Sequence, residues 1–259
     1  MIRLLLILLL SACFATSAEY FKTGGNVRFS QRVTITTSTI STPAPTADLL
    51  WWKLNEGTGT SFTGTVGPNG SAGAGANGYV TGANGLATNA FDFGPENTAL
   101  SDSSVTYGAN VITVCYWVYH TTWGGVRTII SSKSDKTTAN TWRIDNDEGS
   151  VNYVMQGTTV PNITRSTLAA PSNSAWHHYA VVFDASTATG AITIYVDGAL
   201  ASPAIVDTAK DGTSNFAANA LRVGNLNGTE FWTGYMDDIR IYATALSAGQ
   251  VAAIYASPE

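Results

Sequence analysis

Residues 191–200, Ala-Ile-Thr-Ile-Tyr-Val-Asp-Gly-Ala-Leu, constrain the fold of this chain more than any other stretch. Ile192, Ile194 and Val196 alternate with Thr193 and Tyr195, the period-two pattern of a strand with one buried face. Asp197-Gly198 interrupts the pattern before apolar residues resume at Ala199. A two-residue type I′ connection needs positive φ at both positions, and Asp-Gly is among the pairs that accept it, so the stretch predicts an antiparallel hairpin. Upstream, Trp176-His177-His178-Tyr179-Ala180-Val181-Val182-Phe183-Asp184 reads as a second strand, joined to the first by the turn-rich residues 185–190. Similar segments recur about every ten residues and favour an all-β fold, an antiparallel β-sandwich. One short helix is expected at the end. Ser247-Ala248-Gly249-Gln250 has capping-box spacing, Val251, Ile254 and Tyr255 share a helical face, and Pro258 stops the run. The helix is expected to lie over an open end of the sandwich.

Charged residues make up only 12% of the 259, roughly half the usual share. Thr, Ser, Asn, Gly and Ala take their place, the composition of an extracellular β-protein. The net charge of −5 offers nothing to hold a phosphate backbone and argues against nucleic-acid binding. Leu4–Leu10 behind Arg3 is an apolar run too short to span a bilayer as a helix, and residues 1–18 read as an export signal. Two processing routes stay open: cleavage after Thr16-Ser17-Ala18, or a lipobox-like Leu10-Ser11-Ala12-Cys13 that would place a lipid anchor on Cys13. The expected location is secreted or cell-surface. Either route leaves Cys115 without an intrachain partner, and its apolar setting in Ile112–Val118 reads as a small buried hydrophobe. Residues 19–47, closing in Ser41-Thr42-Pro43-Ala44-Pro45, read as an extended Thr/Ser/Pro-rich spacer, with an edge strand at residues 26–35, and the folded domain as residues 48–259.

Several segments carry a family resemblance: Trp51-Trp52-Lys53-Leu54-Asn55-Glu56-Gly57-Thr58-Gly59, Ala90-Phe91-Asp92-Phe93, the Val111–His120 run with Trp117, Arg127–Lys133, the W-H-H-Y-A-V-V-F-D and V-D-G pair, and above all Gly234-Tyr235-Met236-Asp237-Asp238-Ile239-Arg240-Ile241-Tyr242 followed by Ala245-Leu246-Ser247. Together they resemble the laminin-G-like domains of the concanavalin A-like lectin/glucanase superfamily, over Leu49 to Tyr255. The resemblance implies a jelly-roll sandwich and a recognition role toward glycans or surface proteins. Trp51, Trp117 and Trp176 fall within its matched strands and are expected in the core.

Fold relatives include glucanases that carry E-x-D-x-x-E on one strand. The nearest approach here, Arg143-Ile144-Asp145-Asn146-Asp147-Glu148, has arginine in the nucleophile's place, so no glycosidase is expected and Asp145, Asp147 and Glu148 read as turn chemistry. No Ser/His/Asp grouping assembles from the sequence. Asn55, Glu56, Asp92 and Asp237 carry the hard oxygens that suit a structural Ca²⁺, which many relatives hold between the first strand's turn and the last strand; plain hydrogen bonding to loop amides is the alternative. Trp123, Trp142 and Trp232 are the candidate ligand-stacking residues. The function expected is a non-catalytic recognition module, with a self-assembling adhesive component as the second reading.

Overall fold

The computed structural model describes residues 22–23, 26–27, 42–73, 78–94, 99–121, 125–132, 137–203, 205–226 and 231–259. The chain groups into two units, Met1–Ser41 and Thr42–Glu259. In the first, Lys22–Thr23 pairs antiparallel with Asn26–Val27. The leader, Cys13 and the remainder of the expected 26–35 strand lie outside the described residues.

The second unit contains two antiparallel sheets. One runs Ala199–Leu200, Ala191–Val196, Trp176–Asp184, Val111–His120, Gly234–Tyr242, Leu50–Trp52, Gly64–Val66, with Ala90–Asp92 also pairing Gly234–Tyr242 and Gly78–Val80 beside it. The other runs Ile205–Thr208, Ile163–Ala169, Ser150–Gln156, Trp142–Asp147, Val126–Ser131, Arg222–Val223, Ala99–Ser101, Gly70–Ala72, Ser61–Phe62. The inner faces share one apolar core built on strand alternation: Ile112, Val114, Tyr116 and Val118 from one central strand, Tyr179, Val181 and Phe183 from its neighbour, and Ile144, Tyr153 and Met155 from the facing sheet. The expected hairpin is present, with Asp197 at φ 49° and Gly198 at φ 78°.

The last long strand departs from simple alternation. Its register against Val111–His120 shifts between Cys115 and Trp117, and Asp238 sits there at φ 49°. This β-bulge inserts one residue, so Met236 and Ile239, three apart, both reach the core, followed by Ile241. Asp237, Asp238 and Arg240 belong to the same strand but not to that apolar cluster.

Parity also reassigns the tryptophans. Trp52, Trp142 and Trp232 fill the core, with Trp142 stacked 5.5 Å from Phe183 and Trp232 6.2 Å from Phe93. Trp51 and Trp176 occupy alternate positions on the opposite face and are only partly buried, contrary to expectation, because Trp52 and Tyr179 take the inward places; Trp117 shares that face yet is buried as expected, stacked 5.4 Å from Tyr255.

Ala248–Tyr255 forms the short helix, with the full capping box: Gln250 N–H donates to Ser247 Oγ, and Ser247 N–H donates to Gln250 Oε1. Such a cap contributes about 1 kcal/mol. The helix does not close an end of the sandwich. Val251 and Ile254 join Cys115, Ala180, Tyr242 and Leu246 in a second apolar cluster on the outer side of the first sheet. Cys115 is fully buried there, and burial pushes its thiol pKa far up, which leaves it inert.

Candidate functional site

Trp176, Tyr119 and Tyr235 stand on three adjacent strands, directly opposed in register, and all three are partly exposed on the outer face of the first sheet. Tyr119 and Tyr235 stack at 5.0 Å between ring centres, and Trp176 meets Tyr119 edge-on at 5.7 Å. With Val80, Thr81, Gly82, Ala83 and Gly85 they line a cavity of about 470 Å³, within the size range of small-molecule sites. No lining residue carries a formal charge at neutral pH. Burial, and then nearby Asp92, push the Tyr235 pKa upward, so its phenol stays protonated and can donate. Aromatic faces beside backbone amides and a hydroxyl suit a neutral ring that presents C–H groups on its face and hydroxyls on its edge.

The cavity's loop wall is held from below. Ala83 N–H donates to Asp237 Oδ2 at 2.9 Å, while Asn84 Nδ2 and Asn89 Nδ2 donate to the Glu259 carbonyl at 2.6 and 3.2 Å. Glu259 Oε2 in turn pairs with Lys53 Nζ at 2.8 Å. Gly82 permits this approach, since a Cβ there would fall 2.7 Å from both Asp237 Oδ2 and the Asn89 carbonyl.

Two of the residues expected to bind ligand lie in the core instead. Trp142 and Trp232 are 0% and 1% exposed and present no face to solvent; Trp232 Nε1 donates to His120 Nδ1 instead. Trp123 lies outside the described residues. The sequence did carry the signal for this partly exposed trio. Tyr119 and Tyr235 alternate with core residues Val118 and Met236, and Trp176 follows the same parity.

Nor do the four expected calcium ligands converge. Among the described residues no three His, Cys, Asp or Glu side chains are grouped to hold a metal ion. Glu56 spends both oxygens on Thr63 N–H and the Tyr79 hydroxyl, Asp92 Oδ1 accepts from Gly94 N–H, and Asn55 is exposed. Asp237 is fully buried with Oδ1 unpartnered, and burial pushes its pKa up to about 8. Among the described residues these side chains are therefore not gathered into one donor set of the kind calcium takes. Asp145 differs from expectation too. It is buried within the Trp142–Asp147 strand, accepting from Thr128 Oγ1 and Arg143 Nε, while the turn falls at Glu148-Gly149. A carboxylate saturated by an arginine is poorly placed to act as acid or nucleophile.

A family model for laminin-G domains, described as concanavalin A-like lectin/glucanases superfamily, matches residues 92–252. The chain belongs to this laminin-G family. Among solved structures the domain resembles the receptor-binding domain of botulinum neurotoxin D, with a TM-score of 0.60 and 13% identity over 81% of this chain and 52% of that one. It also resembles the type G receptor-binding domain at 0.58 and 14%, over 82% and 51%. A third match is the binding domain of botulinum neurotoxin DC solved in complex with SialylT, at 0.59 and 14%, over 82% and 52%. The laminin-G chain thus spans about half the length of these structures, and at such identities the likeness concerns the fold. No curated protein matches the sequence.

Proposed function

We propose that this laminin-G domain is an exported, non-glycosidase recognition module that binds a neutral glycan in the Tyr119–Trp176–Tyr235 cavity. The carrying observation is the trio itself: three partly exposed rings in register on one rigid sheet face, beside an uncharged loop. Stacking on aromatic faces is a general way to hold a sugar ring, and a preformed platform loses little entropy on binding. Export rests on the apolar Leu4–Leu10 leader and a cell-surface setting on the sparsely charged composition. The receptor-binding roles named for the structural neighbours, one of them in complex with SialylT, support a glycan or surface partner.

A glycan array of neutral oligosaccharides, read with the purified chain, tests this. Wild type is expected to bind, and Trp176→Ala or Tyr235→Ala to weaken the best hit about tenfold, the scale of one lost stacking contact of about 1.4 kcal/mol. A chelator is expected to leave binding unchanged, because rings rather than an ion carry it. Absence of any bound glycan, or equal binding by both variants, refutes the reading.

A further inference from the structure

Ser172, His177 and Asp197 form a linear hydrogen-bonded chain that the recognition reading does not use. Ser172 Oγ lies 3.3 Å from His177 Nε2, and His177 Nδ1 lies 2.8 Å from Asp197 Oδ2. A carboxylate acceptor places the imidazole proton on Nδ1, which leaves the Nε2 lone pair facing the serine hydroxyl. Asp197 is itself fixed, because its other oxygen accepts the His178 N–H at 2.9 Å. The hairpin turn therefore serves twice, since the residue that takes φ 49° to reverse the chain also sets the tautomer of a histidine 20 residues earlier.

The serine is held as well. Pro171 precedes it, Ala170 N–H donates to the Gly149 carbonyl, and Ser174 N–H donates to the His120 carbonyl at 3.0 Å with Ser174 at φ 62°. Ser172 is exposed at this pinned turn, while the His177 side chain keeps only 16% of its surface. An accessible hydroxyl, a shielded base beside it and a carboxylate behind the base are the roles of a nucleophilic triad, which is recognised by geometry and not by order along the chain.

We propose that Ser172 is the nucleophile, and His177 the general base, of an esterase site toward short-chain carboxylic esters, with Asp197 as the positioning residue. Ser172 Oγ bonds to the acyl carbon as its proton passes to His177 Nε2. The bond from that carbon to the alkoxy oxygen breaks, and the departing alcohol takes the proton from Nε2. Water then attacks the acyl-serine, giving a proton to Nε2 that returns to Ser172 Oγ as the carboxylic acid leaves. Water is the only co-reactant. Esters fit better than amides because the turn is open to solvent, and an alkoxide leaves with less assistance than an amine.

The test uses the full chain with p-nitrophenyl acetate as substrate and an alkyl fluorophosphonate as label. Wild type is expected to hydrolyse the ester and to carry the label on Ser172 in a peptide map. Ser172→Ala and His177→Gln are expected to lose at least ~100-fold of the protein-dependent rate. Asp197→Asn keeps a residue type that tolerates positive φ, and is expected to lower the rate and move the midpoint of the pH–rate profile, which a merely structural role would leave in place. Because Ser172 is exposed, Ser172→Ala is expected to keep the wild-type unfolding midpoint and wild-type glycan binding. Equal ester turnover by wild type and Ser172→Ala, or a label absent from Ser172, overturns the proposal while leaving the cavity reading to stand or fall on its own experiment.

Discussion

Asp238→Asn is expected to destabilise the domain by about 3 kcal/mol, a large part of the total that a domain of ordinary stability possesses. Asp238 is 1% exposed and accepts from Trp51 Nε1 at 2.7 Å, Arg240 Nε at 2.7 Å and Arg240 Nη2 at 2.6 Å. Arg240 is equally buried and lies over the Trp51 ring at 4.4 Å. Asparagine keeps a side-chain carbonyl for Trp51 and accepts φ 49°, so what is removed is the charge opposite the guanidinium. Arg240 would then keep only the partly exposed Glu259 carboxylate, 4.0 Å away; desolvating an arginine without a close counter-ion is the costly state, whereas replacing both members of a buried pair often costs little. The double variant Asp238→Asn with Arg240→Met is therefore expected to recover most of the loss. Urea unfolding measures both. A neutral single variant, or a double variant as unstable as the single one, would show that the pair contributes nothing of this kind.

His178→Phe is expected to make the domain less sensitive to acid. His178 is fully buried with neither ring nitrogen hydrogen-bonded, and burial, helped by nearby Arg240, pushes its pKa down to about 3. In the unfolded chain it titrates near 6.5. Between those values only the unfolded chain binds this proton, so stability is full above about pH 6.5 and is lost as the pH falls toward 3, at about 1.4 kcal/mol per unit. Burial likewise lowers His120 to about 3, in the same direction. Asp237, raised to about 8, works the other way, because the folded protein holds its proton while the unfolded chain releases it; stability from this group rises as the pH falls from about 8 toward about 4. Burial raises the Asp238 carboxyl as well, so Asp238 acts with Asp237 against the two histidines, and it is the difference between variant and wild type that isolates His178. His178→Phe removes one proton's worth of that slope and is expected to gain about 2.7 kcal/mol relative to wild type between about pH 6.5 and about pH 4.5. The same difference at both pH values would mean that the folded protein protonates His178 without cost.

What the sequence made legible was local. The Asp197-Gly198 hairpin, the Ser247–Gln250 capping box and the period-two strands follow from φ preference, cap chemistry and alternation among near neighbours. What escaped it depended on pairing between distant segments. Strand parity placed Trp142 inside and Trp176 outside, while Trp232 enters the core from the segment just before the Gly234–Tyr242 strand, and alternation alone does not say which parity faces in when both faces carry aromatics. The bulge at Asp238 changes parity midway along one strand, and only its pairing against Cys115–Trp117 reveals it. Ser172, His177 and Asp197 meet because the hairpin register returns Asp197 beside the start of the Trp176–Asp184 strand, a coincidence of register that residue spacing does not encode. Asn55, Glu56, Asp92 and Asp237 had the right chemistry for a cation, but Asn55 stands exposed, Glu56 accepts from a loop amide and a tyrosine, Asp92 accepts from the Gly94 amide and Asp237 is buried, a distribution set by pairing of distant segments.

The anchoring of the cavity wall through Asn84, Asn89, Glu259 and Lys53 has a thermodynamic corollary. A ligand that favours the ordered wall must, by reciprocity, favour the seated position of Glu259, and whatever pulls Glu259 away must weaken the ligand by the same factor. A change that draws Glu259 away from Lys53, Asn84 and Asn89 would by the same coupling loosen the loop beside the aromatic platform.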